Sequence, residues 1–316
     1  MHEYSEKIKG IAEKLLKNGT VDVFIGFKKG TVPMMNEPTL ISDPEKVHTL
    51  HWDSHCALNL CNYLTGRTDK IGILATGCNS RNIMTHIVEN QIKREQVHIV
   101  GIPCTGMIDH RAVQRAVQFK EILDVTENND QFIVKGDGFE EKLDKKNFLQ
   151  TNCMTCMHRN PVEYDELVAD PVQEQEGVNT YADVTQIENM DTGDRWNFFT
   201  DMISSCIRCY ACRNACPLCY CPTCFVDESR PQWVGKSVDP TDTMTFHILR
   251  AYHCAGRCTD CGACERACPV GIPVRQFTKK LNKETMELFS WEAGLTSKQR
   301  PPLDVYKVDD YNDFVK

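Results

Sequence analysis

The chain has 316 residues, which is long enough for two domains, and a formal net charge of −8. Its acidic and basic residues are interspersed without a Lys/Arg-rich block, so nucleic acid is not an expected partner. No stretch approaches the ~18 consecutive apolar residues of a membrane helix, and the polar start lacks the apolar core of a signal peptide. We therefore expect a cytoplasmic protein without membrane insertion, in which the 18 clustered cysteines stay reduced.

The first part of the chain, residues 1–171, predicts an α/β domain. An amphipathic helix over Ser5–Asn18 precedes a short apolar strand over Val21–Phe27. Two further apolar strands, Lys70–Ala75 and Val97–Ile102, are each followed by a helical pattern. This β-α-β-α order predicts that the last two strands are parallel and adjacent.

A cysteine follows each of these two strands. Cys78 and Cys104 should lie at the carboxyl edge of the sheet, where open parallel sheets bind ligands. Because neighbouring strands are ~4.8 Å apart, both thiolates could reach one cofactor. A later C-x2-C pair, Cys153 and Cys156, indicates a metal site or a redox dithiol. The four thiols suit a [4Fe-4S] cluster; the alternative for the first two is a pair of buried cysteines at strand ends.

The order of these segments resembles the beta-subunit family of coenzyme F420-reducing hydrogenase and F420-linked formate dehydrogenase. The residues that carry the resemblance, within residues 20–170, are Gly72-Ile-Leu-Ala-Thr-Gly-Cys78, Val100-Gly-Ile-Pro-Cys104 and Cys153-Met-Thr-Cys156. The resemblance implies an α/β domain that holds a [4Fe-4S] cluster beside FAD. It also implies electron transfer between a two-electron carrier and one-electron centres. In the family the ferredoxin segment is N-terminal, whereas here it is C-terminal.

An acidic stretch, residues 172–194, is expected to link this domain to a second one over residues 195–290. The second domain should be a small α+β fold of the two-cluster ferredoxin type. A helix over Asp194–Ser204 is expected to pack its aromatic side against that fold. Residues 291–316 are expected to form an extended tail that drapes over this domain or a partner subunit.

The second domain contains the strongest motif of the chain, C-x2-C-x2-C-x3-C-P, in two copies. In bacterial two-cluster ferredoxins the first three cysteines of a copy bind one cluster and the fourth binds the other. Zinc knuckles instead use paired C-x2-C motifs. The predicted ligands are Cys206, Cys209, Cys212 and Cys268 for cluster 1, Cys258, Cys261, Cys264 and Cys216 for cluster 2, and Cys78, Cys104, Cys153 and Cys156 for cluster 3.

The insertion between the two copies contains further cysteines, Cys219, Cys221 and Cys224, and Cys254 is also outside the predicted quartets. Three interpretations are open. These thiols shield the clusters as small apolar residues, or they replace predicted ligands, or they form an additional metal site, for example for zinc with Cys254 or His253.

The cysteine pattern predicts an iron–sulfur electron-transfer subunit of a cytoplasmic anaerobic oxidoreductase complex with three [4Fe-4S] clusters. The sequence shows no nucleophile with a general base, no G-x-G-x-x-G motif after a strand and no Walker motif. It therefore indicates no other chemistry. The family resemblance implies a hydrogenase, formate dehydrogenase or heterodisulfide-reductase-like flavoprotein as partner. One alternative is an FAD-containing oxidoreductase that passes electrons from reduced F420 or nicotinamide to ferredoxin. A second is a non-catalytic metal-binding interaction module.

Overall fold

The structure, a computed structural model, describes residues 2–128 and 130–302, so the predicted tail beyond residue 302 lies outside the described residues. The strands are β1 (Val23–Lys28), β2 (Glu37–Ile41), β3 (Ile71–Ala75), β4 (Val97–Gly101), β5 (Asp124–Glu127), β6 (Gln131–Gly136), β7 (Phe139–Asp144) and β8 (Glu166–Leu167). The helices are α1 (His2–Lys17), α2 (Gly77–Val88), α3 (His110–Ala116), α4 (Thr151–Met154), α5 (Ala182–Glu188), α6 (Thr192–Ser204), α7 (Ala211–Asn214), α8 (Pro240–His253), α9 (Ala263–Ala267) and α10 (Arg275–Phe289).

The larger sheet has five strands in the order β2-β1-β3-β4-β8. All neighbours are parallel except β2, which pairs antiparallel with β1 at the edge. Strands β3 and β4 are in register from Ile71 opposite Val97 to Ala75 opposite Gly101. The predicted parallel, adjacent pair is therefore confirmed, and both strands end at the same edge of the sheet.

Continuous burial explains why these segments form central strands. All five residues of β3 are buried, and in β4 only His98 is partly exposed. Runs of branched apolar residues are typical of parallel strands that are covered on both faces. Helix α1 contributes Ile8 and Ala12 to the same core and ends before Gly19, whose φ of +65° favours glycine.

A second, antiparallel sheet of β5, β6 and β7 follows α3 in the chain. Strands β6 and β7 form an antiparallel hairpin in a charged stretch of the chain. Phe132 and Val134 of β6 are fully buried in a small core that also includes Val113 of α3. This sheet leads directly to α4, which carries the first cysteine of the C-x2-C pair.

The iron–sulfur region predicted over residues 195–290 consists of helices α6 to α10 in its described part, and no strand was found there. The expected α/β domain followed by a cysteine-rich unit is confirmed, but the second unit is helical where the sequence suggested α+β. Aromatic packing around α8, and not strand pairing, holds this region together. The ring of Phe246 lies 5.3 Å from that of Tyr210. Phe199 of α6 packs 5.4 Å from Phe277 of α10, as its aromatic face predicts.

The acidic stretch 172–194 is packed on the second unit and is not an unattached linker. It forms α5, whose Asp183 pairs with Arg275 at 3.2 Å and with Lys279 at 3.5 Å. Glu188 pairs with Lys283 at 2.8 Å. The carboxylates of this segment therefore fasten it to α10. The domain boundaries themselves remain a prediction.

Among the residues that the structure describes, no helix combines the length and apolar character needed to cross a bilayer.

Replacing Arg275 by alanine should destabilise the protein by about 3 kcal/mol, because removal of one buried partner leaves its counter-charges uncompensated. Arg275 is 3% exposed and pairs with Asp183, Asp260 and Glu265. Urea unfolding of the anaerobically purified protein would measure the change. The matched control is Lys7→Ala, which removes an exposed pair with Glu3 and should cost less than about 1 kcal/mol. Equal losses in the two variants would contradict this prediction.

Candidate metal centres

A pocket at the carboxyl edge of the larger sheet brings cysteines from both units together. It is lined by Cys78, Cys104, Cys153 and Cys156 from the α/β domain, and also by Cys258 and Cys261 from the second ferredoxin-type copy. The four cysteines predicted from three separate segments thus lie around one pocket. The sequence did not predict that the dicluster region would form its opposite wall.

The ends of β3 and β4 place Cys78 and Cys104. Cys78 lies in the first turn of α2, which begins at Gly77. Its sulfur lies 3.4 Å from the hydroxyl of Thr76. The backbone N–H of Cys104 donates to the carbonyl of Arg159 at 2.9 Å. The loop that follows the C-x2-C pair is therefore pinned beside the end of β4.

The C-x2-C pair is positioned by α4 and by the acidic segment. The side-chain amide of Gln175 donates to the carbonyls of Cys153 at 3.1 Å and Cys156 at 2.8 Å. Backbone N–H groups also point at sulfur: Met107 donates to Cys153 Sγ, and Gly106 donates to Cys104 Sγ, both at 3.4 Å. Such donors stabilise the negative charge of a thiolate and tune bound clusters.

The electrostatics of this pocket favour a metal site over a redox dithiol. Burial raises the pKa of Cys78, Cys153 and Cys156 to about 11, and that of Cys104 well above its ordinary value. The reactive cysteine of a redox motif has a lowered pKa instead. A buried thiol with a raised pKa loses its proton when a metal ion compensates the charge of the thiolate.

Cysteines of the two ferredoxin copies lie close to one another. Cys209 and Cys268 are electrostatic neighbours of Cys206. Cys212 has Cys264, Cys206 and Cys268 as neighbours. In the other quartet, Cys258 has Cys261, Cys264 and Cys216 as neighbours. Each group therefore includes the fourth cysteine of the opposite copy. Ligation of all three clusters stays a prediction.

The cysteine loops of both copies share an unusual backbone conformation. In the first copy Arg208 and Tyr210 have φ of 52° and 59°, and in the second Asp260 and Gly262 have φ of 55° and 71°. These residues occupy equivalent positions, two and four residues after the first cysteine. Only one of the four is glycine, so three side chains adopt a conformation that L-residues disfavour. The repetition of this strain indicates that the loop shape is required at both sites.

Groups outside the motif contact the predicted ligands. Nε2 of His247 lies 3.3 Å from Cys206 Sγ, and burial lowers the pKa of His247 to about 4. The backbone N–H of Ile272 donates to Cys268 Sγ at 3.3 Å, and that of Asp260 donates to Cys258 Sγ at 3.4 Å. No sequence pattern indicated this contact, because the histidine lies on α8, 41 residues after the cysteine.

Cys219 lies close to the thiols of Cys216 and Cys254, and a metal site on Cys219, Cys221 and Cys224 stays a prediction. Within the described ranges, the sulfur atoms that lie within 4.8 Å of one another are those of Cys216, Cys219 and Cys254. Cys221 is exposed, whereas the end of α8 delivers a buried Cys254. Hydrogen bonds with Cys216 and Cys254 lower the pKa of Cys219 to about 4.

Comparison with known proteins agrees with this geometry. Residues 202–272 match the 4Fe-4S dicluster domain family. The chain carries a 4Fe-4S dicluster domain. It is therefore an iron–sulfur protein with a ferredoxin-like region of the kind that transfers electrons.

Relatives extend over most of the chain. It is 23% identical to the F420-dependent formate dehydrogenase subunit beta of Methanocaldococcus jannaschii, over 92% of this chain and 91% of that protein. It is 22% identical to the F420-dependent formate dehydrogenase 1 subunit beta of Methanococcus maripaludis, over 92% and 90%. The resemblance predicted from the cysteine segments is confirmed.

A chain in the solved F420-reducing [NiFe] hydrogenase complex of Methanosarcina barkeri was also matched, at 17% identity and a TM-score of 0.39. The match covers 50% of this chain and 63% of the hydrogenase chain.

Replacing Gly77 by alanine should destabilise the protein by about 1–3 kcal/mol, the usual effect of overpacking. A Cβ at this position would lie 2.0 Å from the carbonyl oxygen of His158, which belongs to the backbone and cannot rotate away. The loop beside Cys78 and Cys104 would have to shift. Chemical denaturation, together with the iron content after reconstitution, would show both effects.

The control for this variant is Gly10→Ala in the interior of α1, where a Cβ has no neighbour within 4 Å. Alanine in a helix interior should stabilise the protein by about 0.5–1 kcal/mol. A Gly77 variant that unfolds at or above the wild-type urea concentration would show that the contact with His158 does not restrain the site.

Proposed function

We propose that this chain is the iron–sulfur electron-transfer subunit of an anaerobic F420-linked oxidoreductase complex of the formate dehydrogenase or hydrogenase type. In this proposal it connects a cluster on the α/β domain with two clusters in the dicluster domain. The main support for this proposal is one shared pocket. It is lined by Cys78, Cys104, Cys153 and Cys156 and also by Cys258 and Cys261. A single pocket that contains cysteines of two predicted centres favours electron transfer between them.

Three quartets of thiols would hold the clusters, in the ligand sets named from the sequence. When bound, a [4Fe-4S] cluster accepts and donates one electron at a time, at a potential set by charge, hydrogen bonds and exposure. The side chains and backbone of this chain supply those determinants. N–H donors from Gly106 and Asp260 face the sulfur atoms of Cys104 and Cys258.

Arg266 is placed between the two units. Its guanidinium donates to the carbonyl of Cys261 at 2.8 Å and to the side chain of Gln150 at 2.6 Å. Its positive charge acts on Cys78 and Cys153, whose negative thiolate forms it favours. One arginine of the dicluster domain thus stabilises the charged ligands of the α/β domain and fixes the loop that holds Cys261.

The relatives support the kind of complex that we propose. Two beta subunits named as parts of F420-dependent formate dehydrogenases align with 92% of this chain, and hence with both units and not only the dicluster domain. The other subunits of such a complex are the proposed partners.

Iron analysis of anaerobically purified and reconstituted protein tests the proposal. Three cubanes correspond to ~12 iron atoms per chain, and Cys78→Ala should lower this to ~8. The electron paramagnetic resonance signals of the dicluster domain should persist in that variant. The control is Cys61→Ala, because Cys61 is also fully buried nearby but its thiol donates to the carbonyl of Asn79 at 3.3 Å.

An iron content near 8 in the wild type, or one unchanged in Cys78→Ala, would exclude the third cluster. Copurification of one FAD per chain, with reduction of the clusters by reduced F420 alone, would instead support a self-contained flavoenzyme.

Replacing His247 by phenylalanine should lower the midpoint potential of the cluster held by Cys206. With its proton on Nε2 the neutral imidazole donates to sulfur, which stabilises the more negative, reduced state. Loss of about 1 kcal/mol corresponds to roughly 40 mV for a one-electron couple. A redox titration followed by electron paramagnetic resonance measures this shift.

Two comparisons make the His247 experiment specific. His247→Gln keeps a donor and should recover part of the potential. His253→Phe changes a histidine whose ring packs on Phe225 at 4.7 Å, and it should leave the potential unchanged. A similar drop in all three variants would mean that α8 acts only through packing.

A further inference from the structure

Three cysteine sulfurs come together behind the second predicted quartet. Cys216 ends the first motif copy, Cys219 follows in the insertion, and Cys254 caps the C-terminus of α8. Their sulfur atoms all lie within 4.8 Å of one another. Two of these residues, Cys219 and Cys254, have no role in the predicted clusters.

These separations fit a single metal ion. Zinc binds thiolate sulfur at about 2.3 Å, so two sulfurs on one tetrahedral ion are separated by roughly 3.8 Å. The sulfurs that ligate a cubane are bound to separate irons at its corners and stand further apart. The three thiols are therefore arranged for a mononuclear centre and not for three corners of one cluster.

A buried arginine supplies the charge that such a site needs. Arg250 of α8 is 4% exposed, and its Nη2 donates to the carbonyl of Cys212 at 3.0 Å. Its Nε is buried without a hydrogen-bond partner, and the ion pairs found in the described residues do not include it. Its electrostatic neighbours are the thiols of Cys264, Cys216, Cys254 and Cys212. A buried cation requires a compensating negative charge.

A divalent ion fits the charge around these thiols. Three thiolates and a divalent cation carry a net charge of −1, and the positive charge of Arg250 beside Cys216 and Cys254 stabilises it. The geometry and the charge thus point to the same occupant, a thiophilic divalent ion.

We propose that Cys216, Cys219 and Cys254 bind one zinc ion. Zinc has no redox chemistry, so this centre fixes structure and carries no electron. It joins the end of the first motif copy to the end of α8, four residues before Cys258 begins the second copy. The ion therefore closes the insertion and sets the distance between the two copies. A thiolate can bridge two metals, so ligation of zinc does not remove Cys216 from its predicted cluster.

The test uses the full chain, purified anaerobically and reconstituted with iron and sulfide in the presence of zinc sulfate. Metal analysis should find one zinc per chain that survives treatment with a chelator. X-ray absorption at the zinc edge should show three sulfurs at about 2.3 Å and one lighter ligand. This second measurement needs only the wild-type protein, so it stands even where a variant fails to fold.

Variants separate the zinc site from the clusters. Cys219→Ser and Cys254→Ser should lose the zinc and keep the wild-type iron content. The matched control is Cys221→Ser, because Cys221 is an exposed cysteine of the same segment and should keep both metals. Absence of chelator-resistant zinc in the wild type would overturn the proposal, as would retention of zinc in both serine variants. Loss of about four irons from Cys219→Ser would also overturn it, since this sulfur would then belong to a cluster.

Discussion

The burial of thiols from distant segments around shared pockets is the constraint on which the rest of this structure depends. Cys78 and Cys104 follow parallel strands, Cys153 and Cys156 follow a separate sheet, and Cys261 comes from the other unit. Burial alone keeps most of these thiols protonated, because a thiolate is poorly solvated there. Cations, N–H donors and metal ions make the charged form stable. The packing of both units is therefore coupled to what their cysteines bind.

The contacts between the two units serve the same purpose. Arg81 of α2 donates to the carbonyl of Ala293 and pairs with Glu292 at 2.9 Å, and Glu292 also contacts His158 at 2.8 Å. The segment after α10 thus reaches back across the α/β domain to the loop beside Cys156. Together with α5 on α10, these polar contacts surround the pocket on the side away from the sheet. These contacts hold the two units in the arrangement in which cysteines from both line the same pocket.

Left-handed backbone recurs at equivalent positions in the two cysteine loops. Residues in the left-handed region cost on the order of 1–3 kcal/mol each and persist only where the surroundings determine them. Arg208 and Asp260 occupy equivalent left-handed positions in the two copies. Asp260 is held by Arg275, and Arg208 donates to the carbonyl of Gly235 at 3.0 Å. Each loop therefore has its own support, built from a different part of the chain.

The sequence by itself determined the parallel β3–β4 pair and the family resemblance, because strand burial and cysteine spacing are local patterns. The motif quartets stay a prediction from the same spacing. The four-cysteine site on the α/β domain was also predictable, since equivalent strand ends meet at one edge of a sheet. Only the tertiary structure brought Cys261 to the same pocket, docked the acidic stretch as α5, and placed His247 on Cys206. It also brought the sulfur atoms of Cys216, Cys219 and Cys254 within 4.8 Å of one another. These contacts join residues far apart in the chain, and helix packing, which no local spacing records, decides which of them meet.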